Sequence, residues 1–367
     1  MSNTSSRSAA TPHPRSGCSP YENDFGHSRY PRNGGASPVS RLPFPRSDRL
    51  RRSDDWPLPE GTALCLAETV LASTERLVDT NGVQLRVIEA GDRGAPVVVL
   101  AHGFPELAYS WRHQIPVIAE AGYHVLVPDQ RGYGGSSRPE AVEDYDIHSL
   151  TGDLVGLLDD VDAQQAVFIG HDWGAMVVWH TALLHPGRVR AAAGLSVPPI
   201  PRARSRPTER WRQKFGDDFY MLRFQEPGRA DAEMEADVAA TMSRMFAGLL
   251  TGSAPLPDWI NADEFEHYVT EFSRTGFTGA LNWYRNYDRN WESTPQLADT
   301  QITVPALFVG GTADPVGPTM RPERAREVAA GPYTEEWIEG AGHWVQQERP
   351  DDVNRILLAF LSEVERS

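Results

Sequence analysis

The chain has 367 residues, 40% of them hydrophobic, enough for one large domain or two ordinary ones with a sizeable core. A formal charge of −15 argues against nucleic acid as a partner, because a phosphate-binding surface needs a cationic excess. No apolar run approaches the roughly 18 to 20 residues of a membrane span, the N-terminus lacks the apolar core of a secretory signal, and Cys18 and Cys65 form no disulfide, metal or redox spacing. A cytoplasmic protein is expected, and the sequence leaves a homodimer open.

Residues 1–73 are rich in Ser, Pro, Arg, Gly and Asn, with no apolar period to offset the entropy of ordering them. They are expected to be a polar, disordered extension, with a short lead-in helix over 63–72. Nine arginines against six acids through Glu60 give this head something of a transit peptide, but its acids and prolines argue against an amphipathic helix.

From Thr74 the pattern alternates on both sides of Asn81-Gly82, which predicts a hairpin. Unbroken apolar runs follow at 96–101, 125–127, 166–169, 191–197 and 305–309, with a last strand expected over 335–339. Helical patterns fall at 110–121, 149–161, 174–184, 320–330 and 351–364. Alternating strand and helix predicts an α/β fold with a mostly parallel central sheet flanked by helices. The alternation lapses over 198–300, where a Pro- and Arg-rich lead gives way to aromatic-heavy helical segments. An inserted helical cap is expected there, between core segments at 74–197 and 301–367.

The stretch Gly170-His171-Asp172-Trp173-Gly174 ends an apolar run and opens a helical pattern. It is the nucleophile-elbow frame with aspartate in place of serine. The alternative is an aspartate that only caps the following helix. An elbow needs an acid and then a histidine further along the chain, and both occur just after strand patterns: Asp314 in Gly310-Gly311-Thr312-Ala313-Asp314 and His343 in Gly340-Ala341-Gly342-His343. Asp172, Asp314 and His343 are therefore the expected triad. The loop His102-Gly103-Phe104-Pro105-Glu106 follows an earlier strand, so the N–H groups of Phe104 and Trp173 are the expected oxyanion donors. His102 and His171 are expected to be structural.

These residues, with Asp129-Gln130-Arg131-Gly132-Tyr133-Gly134, Phe224-Gln225-Glu226-Pro227-Gly228 and Leu281-Asn282-Trp283-Tyr284-Arg285-Asn286, carry a resemblance. From Thr74 to Phe360 the chain resembles the epoxide hydrolases of the α/β-hydrolase fold, the soluble type most. The resemblance implies that two cap tyrosines, Tyr220 and Tyr284, hold the epoxide oxygen. It implies no metal or organic cofactor, and only an epoxide and water as partners. Two departures stand out: the mammalian soluble enzymes carry an additional N-terminal domain, and they have a glutamine where Met221 follows the first tyrosine here. Met221 and Trp283 are expected in the substrate pocket. Trp259, Tyr268, Phe272, Phe277, Tyr287 and Trp291 would serve equally as pocket lining or as cap core.

Chemistry explains the aspartate. Attack on an sp³ carbon by a hydroxyl would leave an ether, whereas attack by a carboxylate leaves an ester that water can cleave. A dehalogenase would use the same Asp-His-Asp set, but a departing alkoxide needs the acidic O–H groups that tyrosines supply and a halide does not. A non-catalytic binding protein of this fold should have lost at least one of the five residues.

Overall fold

The structure, a computed structural model, describes residues 73–248, 254–320 and 322–367, all within the compact unit Leu66–Ser367. The expectations for residues 1–72 lie outside the described residues. Eight strands form one sheet: β1 (Thr74–Thr80), β2 (Val83–Ala90), β3 (Val97–Ala101), β4 (His124–Pro128), β5 (Ala166–His171), β6 (Val189–Leu195), β7 (Ala306–Gly311) and β8 (Tyr333–Ile338). Their order is β1-β2-β4-β3-β5-β6-β7-β8. β1 and β2 pair antiparallel, as do β2 and β4, and every later pairing is parallel. Asn81 and Gly82 join the hairpin with φ of 46° and 77°, the left-handed pair that a two-residue turn requires.

Both faces of the sheet are covered, which is why its central strands read as continuous apolar runs. Val97, Val99 and Ala101 of β3 point into one core, and Val98 and Leu100 into the other. The first core receives α2 (Ile147–Asp160) and α3 (Trp173–Leu184); the second receives α1 (Ile115–Glu120) and α13 (Pro350–Arg366).

Between β6 and β7 lie α4 (Pro207–Phe215), α5 (Tyr220–Arg223), α6 (Arg229–Glu235), α7 (Val238–Phe246), α8 (Ala262–Thr275), α9 (Thr278–Arg285) and α10 (Tyr287–Ser293). Their apolar side chains, among them Tyr268, Phe272, Phe277 and Trp283, belong to the same core as Val99 and Phe168 of the sheet. Arg112 pairs with Glu264 at 2.7 Å, and Ser110 and Tyr268 share a hydrogen bond of 2.8 Å, so polar links reinforce the joint.

Two predicted helices are broken. The 110–121 pattern becomes a 3₁₀ turn, Ala108–Trp111, followed by α1, which begins afresh with Pro116 in its first turn. The 320–330 pattern becomes α11 (Gly317–Met320) and a 3₁₀ turn, Pro322–Glu327, because Pro322 has no N–H to continue the preceding helix. The last strand begins at Tyr333 and ends at Ile338, shifted from 335–339. One further short helix, α12 (Val345–Glu348), follows the loop that carries His343.

Candidate active site

Asp172 sits between β5 and α3 with φ 50° and ψ −117°, a conformation that costs a non-glycine residue energy and points its side chain away from both elements. The turn is too tight for flanking side chains. A Cβ on Gly170 would lie 2.3 Å from the carbonyl carbon of Gly174, and one on Gly174 would lie 2.0 Å from the carbonyl oxygen of Ala101. No cap bond forms from the Asp172 side chain, so the helix-cap alternative fails.

The carboxylate is instead divided between two partners. Phe104 N–H donates to Oδ1 at 2.9 Å, while Oδ2 lies 3.5 Å from His343 Nε2. His343 Nδ1 in turn meets Asp314 Oδ2 at 2.9 Å, and Asp314 Oδ1 accepts from Val316 N–H at 2.7 Å. Trp173 is the first residue of α3, so its N–H is one of the donors that a helix N-terminus leaves free. The three residues expected as a triad, drawn from the ends of β5, β7 and β8, thus form one line.

Electrostatics follow from that line. Burial disfavours charge on Asp172, but the neighbouring His343 and the Phe104 N–H hold its carboxyl below the ordinary value. Burial disfavours charge on His343 too, yet Asp314 and Asp172 on either side raise it to about 10. Burial likewise opposes the charge of Asp314, and His343 with the Val316 N–H brings its carboxyl down. The resting site is an imidazolium between two carboxylates.

A buried network fixes the two loops that face Asp172. Glu106, fully buried, accepts from Gly103 N–H at 2.8 Å and meets His171 Nδ1 at 2.6 Å through Oε2. Its Oε1 accepts from the side-chain amides of Gln346 and Gln347. His171 Nε2 donates to the carbonyl of His343 at 2.8 Å, and Ser196 Oγ donates to the same carbonyl at 2.6 Å. The loop of Phe104 and the loop of His343 are therefore held by one carboxylate. His102 accepts from Gln130 N–H through Nε2 at 3.0 Å, and its Nδ1–H is directed at the Gly103 carbonyl at 2.9 Å, a neutral tautomer in a structural position.

Above Asp172 lies a cavity of about 1470 Å³ lined by Asp172, His343, Tyr220, Tyr284, Met221 and Tyr287 among others. Phe224 stands between the two expected tyrosines, 5.4 Å from the Tyr220 ring and 5.1 Å from the Tyr284 ring. Among the described residues neither phenol hydrogen-bonds to protein through its hydroxyl. Burial, then the Asp172 charge, pushes both phenols up, so each keeps its proton as a donor.

Trp283 departs from expectation. It is fully buried outside the cavity lining and donates its indole N–H to the Arg131 carbonyl at 3.0 Å, because α9 turns Tyr284 toward the cavity and Trp283 toward the core. Tyr287 and Trp291 do line the cavity, whereas Trp259, Tyr268, Phe272 and Phe277 pack among the helices between β6 and β7. One contributor escaped notice in the sequence: Glu106, visible there only as a lone acid in an apolar loop.

Among the described residues no group of three or more His, Cys, Asp or Glu side chains could hold a metal ion, and no helix is long and apolar enough to cross a membrane. Comparison with known proteins shows the family. Residues 96–350 match the family described as alpha/beta hydrolase fold. Over 318 residues the chain is 61% identical to Epoxide hydrolase A of Mycobacterium tuberculosis, spanning 80% of this chain and 99% of that protein. It is 38% identical to Bifunctional epoxide hydrolase 2 of Rattus norvegicus, over 76% of this chain and 54% of the rat protein. The crystal structure of Epoxide Hydrolase A from Mycobacterium thermoresistibile superposes with a TM-score of 0.77 at 61% identity, covering 79% of this chain and 98% of that one. The chain belongs to the epoxide hydrolases of the α/β-hydrolase fold family.

Proposed function

We propose that this enzyme converts an epoxide and water into a vicinal diol through an ester on Asp172. Oδ2 attacks one epoxide carbon, the carbon–oxygen bond opposite breaks, and Tyr220 and Tyr284 donate to the departing oxygen. The attack consumes the charge of Asp172. His343 then loses one of the two anions that keep it protonated, its proton restores the phenol that protonated the departing oxygen, and the neutral imidazole becomes a base for water. The hydroxide attacks the Asp172 acyl carbon; the N–H groups of Phe104 and Trp173 stabilise the oxyanion, and Oδ2 leaves with the diol.

The observation that carries this reading is the division of the Asp172 carboxylate, one oxygen held by Phe104 N–H and the other facing both His343 and the cavity. A halide would gain little from two protonated phenols, so the tyrosines favour an alkoxide over a halide leaving group. The test is one turnover in ¹⁸O-water with enzyme in excess. Unlabelled diol with ¹⁸O in the Asp172 peptide is expected; labelled diol with an unlabelled peptide would mean that water attacks the epoxide directly. Sites, cap and core boundaries and catalytic roles all stand on this reading, and no metal or organic cofactor enters any step.

A further inference from the structure

The mechanism proposed above needs two phenols to meet at one oxygen, yet the helices that carry them give little help. α5 is a single turn with Tyr220 as its first residue, and one turn is not stable by its own hydrogen bonds. α9 carries Tyr284 next to its last residue, where backbone carbonyls run out of helical partners. Neither hydroxyl is held by protein among the described residues, so each phenol is placed by its backbone and by ring packing alone.

Two short stretches of sequence meet between those helices. Phe224-Gln225-Glu226-Pro227-Gly228 follows α5 directly, and Leu281-Asn282-Trp283-Tyr284-Arg285-Asn286 closes α9. The side-chain amide of Gln225 commits both of its protons to the joint: Nε2 donates to the Met221 carbonyl at 2.9 Å and to the Tyr284 carbonyl at 2.9 Å. Met221 is the neighbour of Tyr220. One side chain thus ties the backbone beside the first phenol to the backbone of the second.

A second bond crosses the same joint from the other side. Arg285, the last residue of α9, donates through Nε to the carbonyl of Phe224, whose ring stands between the two phenols, at 3.1 Å. The guanidinium is itself fixed: Nη1 donates to Asn282 Oδ1 at 2.8 Å, and Nη2 forms a buried ion pair with Asp231. Asp231 also accepts from the Thr278 hydroxyl at 2.7 Å and from the Gly228 N–H at 3.0 Å, so both ends of α9 are laced to the start of α6. This frame holds the place in which the Gln225 amide closes.

We propose, resting on the epoxide-hydrolase reading above, that Gln225 is a positioning residue for epoxide opening, a clasp that locks the turn of Tyr220 to the end of α9 so that both phenols reach the departing oxygen together. Gln225 does not line the cavity, so it acts through the phenols and not on the substrate. A misplacement of about 1 Å can cost on the order of 10²-fold in rate, which is the scale on which a loosened clasp acts. Cleavage of the ester depends instead on His343 and the N–H groups of Phe104 and Trp173, none of which Gln225 touches. The two steps should therefore respond differently.

The experiment follows formation and decay of the Asp172 ester separately, by rapid mixing and intact mass, with whichever of styrene oxide, cis-stilbene oxide and a terminal epoxyalkane reacts fastest. Gln225→Leu, which keeps the bulk and removes both donors, should slow ester formation about tenfold and leave ester decay within about twofold. Gln225→Asn, too short to reach both carbonyls, should slow formation about threefold, and it carries the same comparison if the leucine variant does not fold. In a Tyr220→Phe background only one phenol is left to place, so adding Gln225→Leu should cost no more than about twofold. A general loosening of the helices would slow both steps and would cost the same in either background. Ester formation at the parent rate in both Gln225 variants, equal slowing of the two steps, or a tenfold loss that persists beside Tyr220→Phe overturns the proposal. If the parent forms no Asp172 ester with any of the three epoxides, it is the underlying reading that fails.

Discussion

His343 Nε2 stands 3.5 Å from Oδ2 of Asp172, facing the one oxygen of that carboxylate which Phe104 leaves free. In the mechanism proposed above, the same histidine is a counter-ion before the ester forms and the base that destroys it afterwards. His343→Gln should remove the second role and spare the attack. Intact-mass spectrometry after mixing with an epoxide should show the protein heavier by one substrate, with steady-state turnover down by about 10³-fold or more. Lost turnover with no adduct would place His343 in the first step instead.

Tyr220 and Tyr284 keep their protons because burial and the Asp172 charge both oppose ionisation. Tyr220→Phe and Tyr284→Phe should each slow ester formation by about 10- to 100-fold, and the double variant by more, since in the proposed mechanism they together supply the general acid. Rapid-mixing measurement of adduct formation reads this directly. If both single variants alkylate at the parent rate, the phenols are packing residues only.

Stability should depend on pH through His343 with a definite sign. Its value in the folded chain is raised from 6.5 to about 10, so its pairing stabilises fully below about 6.5 and is lost as pH rises toward about 10. Asp172 and Asp314, both held below 3.8, act in the opposite sense: their share is present above that value and is lost on acidification. Denaturant melts across pH should decline on the alkaline side, and Asp314→Asn should flatten that decline. An unchanged alkaline slope in the variant would show that the pair does not set it.

Glu106 joins the loops of Phe104 and His343 from a fully buried position. Glu106→Ala leaves His171, Gln346, Gln347 and the Gly103 N–H without their acceptor, and should cost about 3–5 kcal/mol of unfolding free energy. Chemical denaturation measures it; a loss under about 1 kcal/mol would mean that water replaces the carboxylate.

Trp283→Phe tests the placement of that residue. It deletes the bond to the Arg131 carbonyl and should cost about 1–3 kcal/mol of stability. Because the side chain lies outside the cavity lining, the ranking of epoxides by KM should stay as it was. A reordered ranking would return Trp283 to the pocket.

Much of this architecture could be read in the residues, for reasons that differ by element. The strands were legible because a sheet covered on both faces demands apolar residues at every position, and runs such as 97–101 and 166–169 have few other uses. The line of Asp172, His343 and Asp314 was legible because each of the three follows a strand, and strand ends gather on one side of a parallel sheet. The broken helices were not. Pattern alone gives 320–330 an amphipathic period, and the local rule about Pro322 has to be weighed against it. Trp283 and Tyr284 were inseparable for a related reason: adjacent residues on a helix point about 100° apart, and which one meets the cavity depends on how α9 is rotated against the core. Glu106 was hidden because a buried acid is recognised by its partners, and its side-chain partners come from 65 to 241 residues away along the chain.

The apolar side chains of α8 and α9 are continuous with those beneath β3 and β5. A roof built into its own floor cannot swing aside as a jaw does, since hinging it would expose the interior that stabilises both halves. Molecules must instead thread in and out past side chains at the rim while the frame stays shut. Amides in α9 should accordingly exchange with solvent about as slowly as those of β5, and the pace of product escape should respond to bulk added near Phe215 and Ile200, not to changes at the junctions with β6 and β7.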